Sequence, residues 1–211
     1  MFTLLKNFFT VLILSLSINL WSDENPYNFI DSNAQKMVIV LKENKSLFLE
    51  DRQLYEQKIK EIFEPMIDFR RVAATVMGKK YYLASSKEQR AEFVVIFKDS
   101  LLDTYAETLA QWENQTITTI FPKNMEIQIN NLKNIEVQQT LNTGSSKYPI
   151  SYKLRKNKDS SWSIVNIIVN GVNLGLTFRN QFQALAIKNN GNIESTLNGW
   201  VSDAGDAGIS G

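Results

Sequence analysis

The chain has 211 residues, of which 44% are hydrophobic and 21% are charged, as in an ordinary globular protein. It contains no histidine and no cysteine, which excludes Ser-His-Asp and Cys-His nucleophile systems, the usual zinc sites and any disulfide framework. The 23 basic and 22 acidic residues nearly balance, so no broad positive field attracts nucleic acid. We expect no metal, no cofactor and no nucleic-acid partner.

Residues 1–22 predict a cleavable signal peptide. Lys6 gives a positive start, Phe8–Leu20 is an apolar run, and acidic residues follow closely at Asp23 and Glu24. The run is shorter than the about 20 residues of a membrane span, although a retained anchor is the alternative. Cleavage after Ser22 removes Lys6 and leaves 22 basic against 22 acidic residues. The mature product is then a single exported domain over residues 23–201.

The first half of that domain, residues 25–112, has the apolar periodicity of helices. Pro65 ends or bends the second helix, Asp68 caps the third, and Gly78 stops it. The sequence Ser85-Ser86-Lys87-Glu88 has the form of a capping box and opens the longest helix. The four predicted helices begin at Asn25-Pro26-Tyr27 and then span Ser46–Ile67, Phe69–Met77 and Glu88–Trp112.

The second half, residues 115–201, changes to the alternation of strands, which polar turns separate. The turn sequences at Asn142–Ser145 and Lys156–Asp159 favour hairpins, and therefore a mostly antiparallel sheet. In the fourth strand Ile150, Tyr152 and Leu154 alternate with polar residues, so one face points inward. The predicted strands are Gln115–Phe121, Met125–Ile129, Ile135–Leu141, Tyr148–Arg155 and Trp162–Val169.

The last of these strands, Trp162–Val169, is apolar at nearly every position, which is typical of a strand covered on both faces. Asn170-Gly171 predicts a turn after it. Two helices, Leu174–Lys188 and Asn192–Val201, then close the domain, and residues 202–211 predict a flexible glycine-rich tail. A strand covered on both sides and followed at once by an apolar helix indicates a sheet that curls around its core or around a guest.

Several of these stretches together carry a family resemblance. The turn Asn170-Gly171-Val172-Asn173-Leu174 and the helix residues Phe178-Arg179-Asn180-Gln181-Phe182 are its most specific part. Less specific matches to the family are Asn25-Pro26-Tyr27, Asp68-Phe69, Val76-Met77-Gly78, Tyr81-Tyr82, Ser85, Gln89-Arg90, Phe93, Phe97, Leu101, Tyr105 and Trp162. From Asn25 to about Gly199 the chain resembles the MlaC-type periplasmic phospholipid-binding proteins, also called the toluene-tolerance auxiliary family; the glycine-rich tail is not a family feature.

The resemblance implies an α+β fold, with a curved, mostly antiparallel, NTF2-like sheet of about four to five strands. About six to seven helices would wrap the sheet around an apolar cavity. It also implies a monomeric periplasmic phospholipid carrier that maintains outer-membrane lipid asymmetry and is not an enzyme. Its implied partners are phospholipid, an inner-membrane complex of an ABC transporter with MCE domains, and an outer-membrane complex of a lipoprotein with a porin.

The candidate lipid-binding residues are apolar, because acyl chains need only apolar walls. They are Val76, Met77, Phe93, Phe97, Leu101, Tyr105, Ile150, Tyr152, Ile167, Val169, Val172, Leu174, Phe178 and Phe182. For each of them, packing in a filled core is the competing interpretation. Two other function classes stay open: an exported adaptor with a filled core, and a small isomerase or dehydratase, for which Glu136 is the one acid on the predicted strands that merits consideration.

Overall fold

The structure, a computed structural model, describes residues 25–123, 129 and 132–203. The predicted signal peptide and residues 204–211 of the predicted tail lie outside these residues. So does the predicted strand Met125–Ile129, except for Ile129, which is helical and buried. The α-helices of the described chain are α1 (Pro26–Glu43), α2 (Leu47–Glu50), α3 (Arg52–Phe63), α4 (Phe69–Ala84), α5 (Lys87–Ala110), α6 (Leu174–Lys188) and α7 (Ile193–Asn198).

The strands form one five-stranded antiparallel sheet in the order β1-β2-β3-β4-β5. The α+β prediction is therefore confirmed, with seven helices and five strands in the described chain. The short edge strand β5 was not predicted, because its two residues directly follow the turn at Asn170-Gly171. The strands are β1 (Thr116–Thr119), β2 (Asn134–Asn142), β3 (Lys147–Lys156), β4 (Trp162–Val169) and β5 (Val172–Asn173).

The predicted helix Ser46–Ile67 was wrong as a single element. Asp51 leaves helical geometry, with φ −151° and ψ 81°, and its side chain accepts the backbone N–H of Leu54, so α3 begins anew after it. At the other end, Pro65 lies in a 3-10 turn, Glu64–Met66, as its missing N–H allows. The break turns Tyr55 and not Leu54 inward: Tyr55 is fully buried, whereas Leu54 is exposed.

Helix α4 begins as predicted and continues past its predicted end. The Asp68 side chain accepts the backbone N–H of Arg71, which confirms the predicted cap. Gly78 does not end the helix. It has φ +69° and ψ 162°, which makes a kink, and the chain resumes helical geometry as far as Ala84. The positive φ favours glycine here, and a Cβ at this position would lie 3.1 Å from Nε2 of Gln183 on α6, so the Gln183 side chain would have to shift to admit a larger residue.

Two further helix starts differ by a residue from their predictions. The capping box of α5 joins Ser86 to Gln89, because Ser85 is buried and its hydroxyl donates to the carbonyl of Tyr81. In α7, Asn192 is the cap and not the first helical residue. Beyond α7 the chain returns to α5: the Thr104 hydroxyl donates to the carbonyl of Ser202 at 2.7 Å. Ser202, where the predicted tail begins, is fully buried.

The apolar interior is divided into a helical core and groups against the sheet. The helical core joins α4, α5, α6, α7 and Trp200, and its aromatic rings meet mostly edge to face, as between Phe93 and Phe182 at 4.9 Å. The helical half is tied to the sheet where the Asp68 backbone N–H donates to the carbonyl of Ile164. Among the described residues, no helix has both the length and the apolar character needed to cross a bilayer.

Candidate functional site: the concave face of the sheet

The ladders place one continuous set of side chains on the inner face of the sheet. Tyr152 pairs with Val137 on one side and with Ile167 on the other, and Ile150 pairs with Val169. Alternate residues of a strand point to the same face, so the rows above and below repeat this pattern. By register the inner face carries Ile117, Thr119, Ile135, Val137, Gln139, Leu141, Tyr148, Ile150, Tyr152, Leu154, Lys156, Trp162, Ile164, Ile167, Val169 and Val172, and among these paired residues only Lys156, at the end of β3, is charged.

A β-bulge keeps this face apolar along the whole of β4. Leu154 pairs with Ile164, but Lys153 pairs with Asn166, so Val165 is an extra residue without a partner. The extra residue shifts the alternation by one. Ile164 before the bulge and Ile167 after it therefore point to the same side, although they lie three positions apart. The bulge explains why apolar residues occur at nearly every position of β4. No residue of β4 is exposed, which agrees with the prediction from the sequence.

The candidate lipid-binding residues fall into two groups in the structure. The first group lies in the helical core, is at most 3% exposed and consists of Val76, Met77, Phe93, Phe97, Phe178 and Phe182. The second lies in the sheet cluster, which we define as Leu141, Ile150 and Val169 with the half-buried residues Trp112, Ile117, Tyr148, Tyr152, Ile167, Val172 and Leu174. Leu101 and Tyr105 of α5 lie at the margin of the helical core, and Leu174 contacts both groups.

The sheet cluster differs from the helical core in how much surface its side chains retain. Burial raises the pKa of the Tyr152 phenol. The same side chain is only half-buried by surface area, as is its partner Ile167. The Tyr152 hydroxyl makes no hydrogen bond to another described residue, so it is a donor without a protein partner on the inner face of the sheet.

A series of hydrogen bonds connects α1 to the concave face of the sheet. The Thr119 hydroxyl donates to Oδ1 of Asp31 at 2.7 Å, and the Gln139 amide donates to Thr119 at 2.8 Å. Because a carboxylate only accepts, Thr119 must donate to Asp31 and accept from Gln139. This fixes the orientation of the Gln139 amide. Its Oε1 is buried without a partner, in the middle of the inner face.

The sequence did not identify Trp112, Ile117, Leu141 and Tyr148 as members of this cluster. Leu141 and Tyr148 lie opposite each other beside the β2–β3 turn, where the inward alternation of both strands could have indicated them. Trp112 gave no such signal, because it was predicted as the last residue of a helix that ends at Ala110. Within residues 25–123, 129 and 132–203 no group of His, Cys, Asp or Glu side chains is placed to hold a metal ion.

Comparison with known proteins identifies the fold and the family. The family model described as MlaC protein matches residues 31–202. The chain belongs to the MlaC family. Its residues 170–182, the most specific part of the resemblance in the sequence, form the turn, strand β5 and first turns of α6 that border the sheet cluster.

Two curated members of the family cover nearly the whole chain. Toluene tolerance protein ttg2D of Pseudomonas putida is 26% identical over 207 residues, which is 98% of this chain and 94% of that protein. The intermembrane phospholipid transport system binding protein MlaC of Haemophilus influenzae is 25% identical over 211 residues, which is 97% of this chain and 89% of that protein.

A solved structure has the same fold. It is the phospholipid-binding protein of Ralstonia solanacearum in complex with a phospholipid. That structure aligns with a TM-score of 0.73 at 22% identity, over 83% of this chain and 94% of the other. The two proteins therefore share the α+β architecture, and the Ralstonia solanacearum protein holds a phospholipid.

Proposed function

We propose that the protein carries phospholipid through the periplasm, with the acyl chains against the concave face of the sheet. The observation that carries this proposal is the sheet cluster, which contains no charged residue and in which Tyr152 and Ile167 remain half-buried. Membership of the MlaC family and the phospholipid in the Ralstonia solanacearum structure support it.

The energetics explain why apolar walls are sufficient. A two-tailed phospholipid has roughly thirty methylene groups, and each contributes about 0.8 kcal/mol when it leaves water. Its transfer from a bilayer into water therefore costs on the order of 20 kcal/mol, which makes free diffusion negligible. A carrier removes this barrier if its interior is nearly as apolar as the bilayer. It must not bind much more tightly, because the cargo has to leave again.

We assign different roles to the two groups of candidate residues. Side chains of the sheet cluster would contact the acyl chains, together with Leu101 and Tyr105 at the margin of α5. The Tyr152 hydroxyl would donate to an ester oxygen of the lipid, since such oxygens only accept. The buried aromatic rings of the helical core would hold α5 and α6 in place around the cargo and would not touch it.

We infer the cellular role from membership of the family. Residues 1–22 would direct export and be removed, and residues 23–201 would act as a single lipid-binding domain. The carrier would exchange lipid with an inner-membrane complex of an ABC transporter with MCE domains and with an outer-membrane complex of a lipoprotein with a porin. It would thereby maintain lipid asymmetry, with no catalytic step and no cofactor besides the cargo. The name of the Haemophilus influenzae relative, a transport-system binding protein, supports this role.

Transfer of a fluorescent phospholipid tests the proposal. Donor vesicles carry the labelled lipid with a quencher, and acceptor vesicles lie behind a membrane that passes only the protein. We expect label to reach the acceptor compartment at a rate proportional to the protein concentration. Transfer that equals the protein-free rate at every concentration would contradict the proposal.

A further inference from the structure

Helices α4 and α6 lie side by side and run in the same direction, away from the concave face. Val72 and Thr75 of α4 face Leu176 and Arg179 of α6 across a cleft, and one turn further on Gly78 meets Arg179 and Gln183. At the far end Leu83 and Ile187 are 64% and 69% exposed. We define the α4–α6 face as Thr75, Lys79, Leu83, Leu176, Arg179 and Ile187, all of which are exposed.

Charge on these two helices is of one sign. Helix α4 contains Arg70, Arg71, Lys79 and Lys80, helix α6 contains Arg179 and Lys188, and neither contains an acidic residue. Arg71 is paired with Asp68, and the other basic residues form no ion pair with an acid in the described chain. The whole chain is nearly neutral, with 23 basic and 22 acidic residues. The helix pair is therefore a local positive surface on a molecule without a broad positive field.

The cleft between the helices measures about 180 Å³ and lies behind β4, on the opposite side from the concave face. Its apolar walls are Val72, Val165 and Leu176. Its two asparagines are occupied, since Asn166 donates to Asn173 at 2.9 Å and both accept backbone N–H groups of α6. The cleft therefore offers apolar walls with the Arg179 guanidinium among its lining and no carboxylate.

We propose that the α4–α6 face docks an acidic amphipathic segment of a partner protein. One apolar side chain of the partner enters the cleft, and neighbouring carboxylates pair with Lys79 and Arg179. The cleft is smaller than the roughly 300–1,000 Å³ of small-molecule sites, which fits a single anchoring side chain. A bilayer surface is flat and cannot enter it. This docking proposal does not depend on which ligand binds at the concave face of the sheet.

The test measures binding of a labelled helical peptide made of leucine, alanine and glutamate, by fluorescence anisotropy. A second peptide, with lysine in place of glutamate, controls for nonspecific binding. We expect the acidic peptide alone to bind, more weakly as salt rises, and the double variant Lys79→Glu/Arg179→Glu to weaken binding at least about tenfold. Lys158→Glu, in the exposed β3–β4 turn, is a single charge reversal away from the two helices and should leave binding unchanged.

A second pair of variants tests the cleft without changing charge. Thr75→Trp fills it and should weaken peptide binding, whereas Thr75→Ser should not. Circular dichroism and lipid content are measured on every variant. Both should stay at the wild-type level, which separates loss of docking from loss of fold or cargo.

Three results would overturn the proposal. The first is equal binding of the acidic and basic peptides, or binding that none of the variants changes. The second is absence of peptide binding together with flotation on vesicles containing 30% phosphatidylglycerol that Lys79→Glu/Arg179→Glu abolishes, which would assign the face to a bilayer. The third is self-association that the same variant abolishes, which would make a second copy the occupant.

Discussion

Tyr152 of β3 lies directly opposite Ile167 of β4 on the concave face, and both side chains are half-buried at the centre of the sheet. The neighbouring pair, Ile150 and Val169, is only 8% exposed at each residue. Surface is therefore retained between two buried pairs, Ile150–Val169 and Leu154–Ile164. Half-buried side chains at this place are what we expect of a surface that contacts acyl chains when a lipid is bound.

A charge on this wall should remove the cargo. We expect Ile167→Glu to abolish phospholipid binding, because a carboxylate against acyl chains would have to be buried without a partner. Lipid extracted from the purified variant and quantified by mass spectrometry is the measurement. Gln138→Glu, on the exposed side of β2, is the matched control and should keep its lipid. Wild-type lipid content in folded Ile167→Glu would refute the assignment of the wall.

The helical core should respond differently. Phe93 is fully buried and its ring meets those of Phe97, Phe182 and Trp200. We expect Phe93→Ala to lower the free energy of unfolding by about 3–5 kcal/mol, measured by urea denaturation. Val95→Ala, at an exposed position of the same helix, should change it by less than about 0.5 kcal/mol. A Phe93→Ala variant that keeps its stability but loses lipid would place this residue in the cargo site instead.

The kink at Gly78 should not tolerate a side chain. Gly78→Ala places a Cβ 3.1 Å from Gln183 at φ +69°, so we expect a loss of about 1–3 kcal/mol in the free energy of unfolding. Gly191→Ala separates the two causes, since Gly191 has φ +78° with open space around it. It should lose less, and the difference between the variants measures the contact between α4 and α6. Equal losses would show that the backbone angle alone requires glycine.

These residues also show what the sequence could and could not predict. The cap at Asp68, the antiparallel strands and the inward alternation of β3 are local features, so residue type and spacing were enough to predict them. The continuation of α4 past Gly78 was not predictable in this way. Glycine at positive φ ends a helix as readily as it kinks one, and the outcome depends on α6, which lies a hundred residues further along the chain.

The same limit applies to the candidate site. An apolar residue at helical spacing has the same pattern whether it faces a cavity or a filled core. The sequence therefore indicated Phe97, Phe178 and Tyr152 as one predicted lining, which stays a prediction. In the structure the rings of Phe97 and Phe178 meet at 5.5 Å in the helical core, and Tyr152 lies in the sheet cluster. The bulge at Val165 and the place of Trp112 in the sheet cluster depend on strand pairing, which no local pattern specified.

The ion pair on the outer face of the sheet predicts a pH dependence. Glu136 lies opposite Lys153, and hydrogen bonds from Lys153, Ser151 and Gln138 lower its pKa from 4.5 to about 2. A lowered carboxyl pKa stabilises the folded state above the unfolded pKa, and this contribution is lost as the pH falls from about 4.5 towards 2. Both partners retain about a third or more of their side-chain surface, so we expect less than about 1 kcal/mol.

Urea unfolding of the wild-type protein and Glu136→Gln at several pH values checks this dependence. The wild-type protein should be the more stable at pH 7, and the two should converge near pH 2. A constant difference across this range would show that the pair does not titrate as described.

Native mass spectrometry of the protein, exported to the periplasm of a Gram-negative host and purified without detergent, tests the central claim most directly. We predict a folded monomer whose mass exceeds that of the mature chain by one phospholipid, and loss of this excess in Ile167→Glu. A folded wild-type protein that is lipid-free, and that stays so after incubation with phospholipid vesicles, would contradict the account.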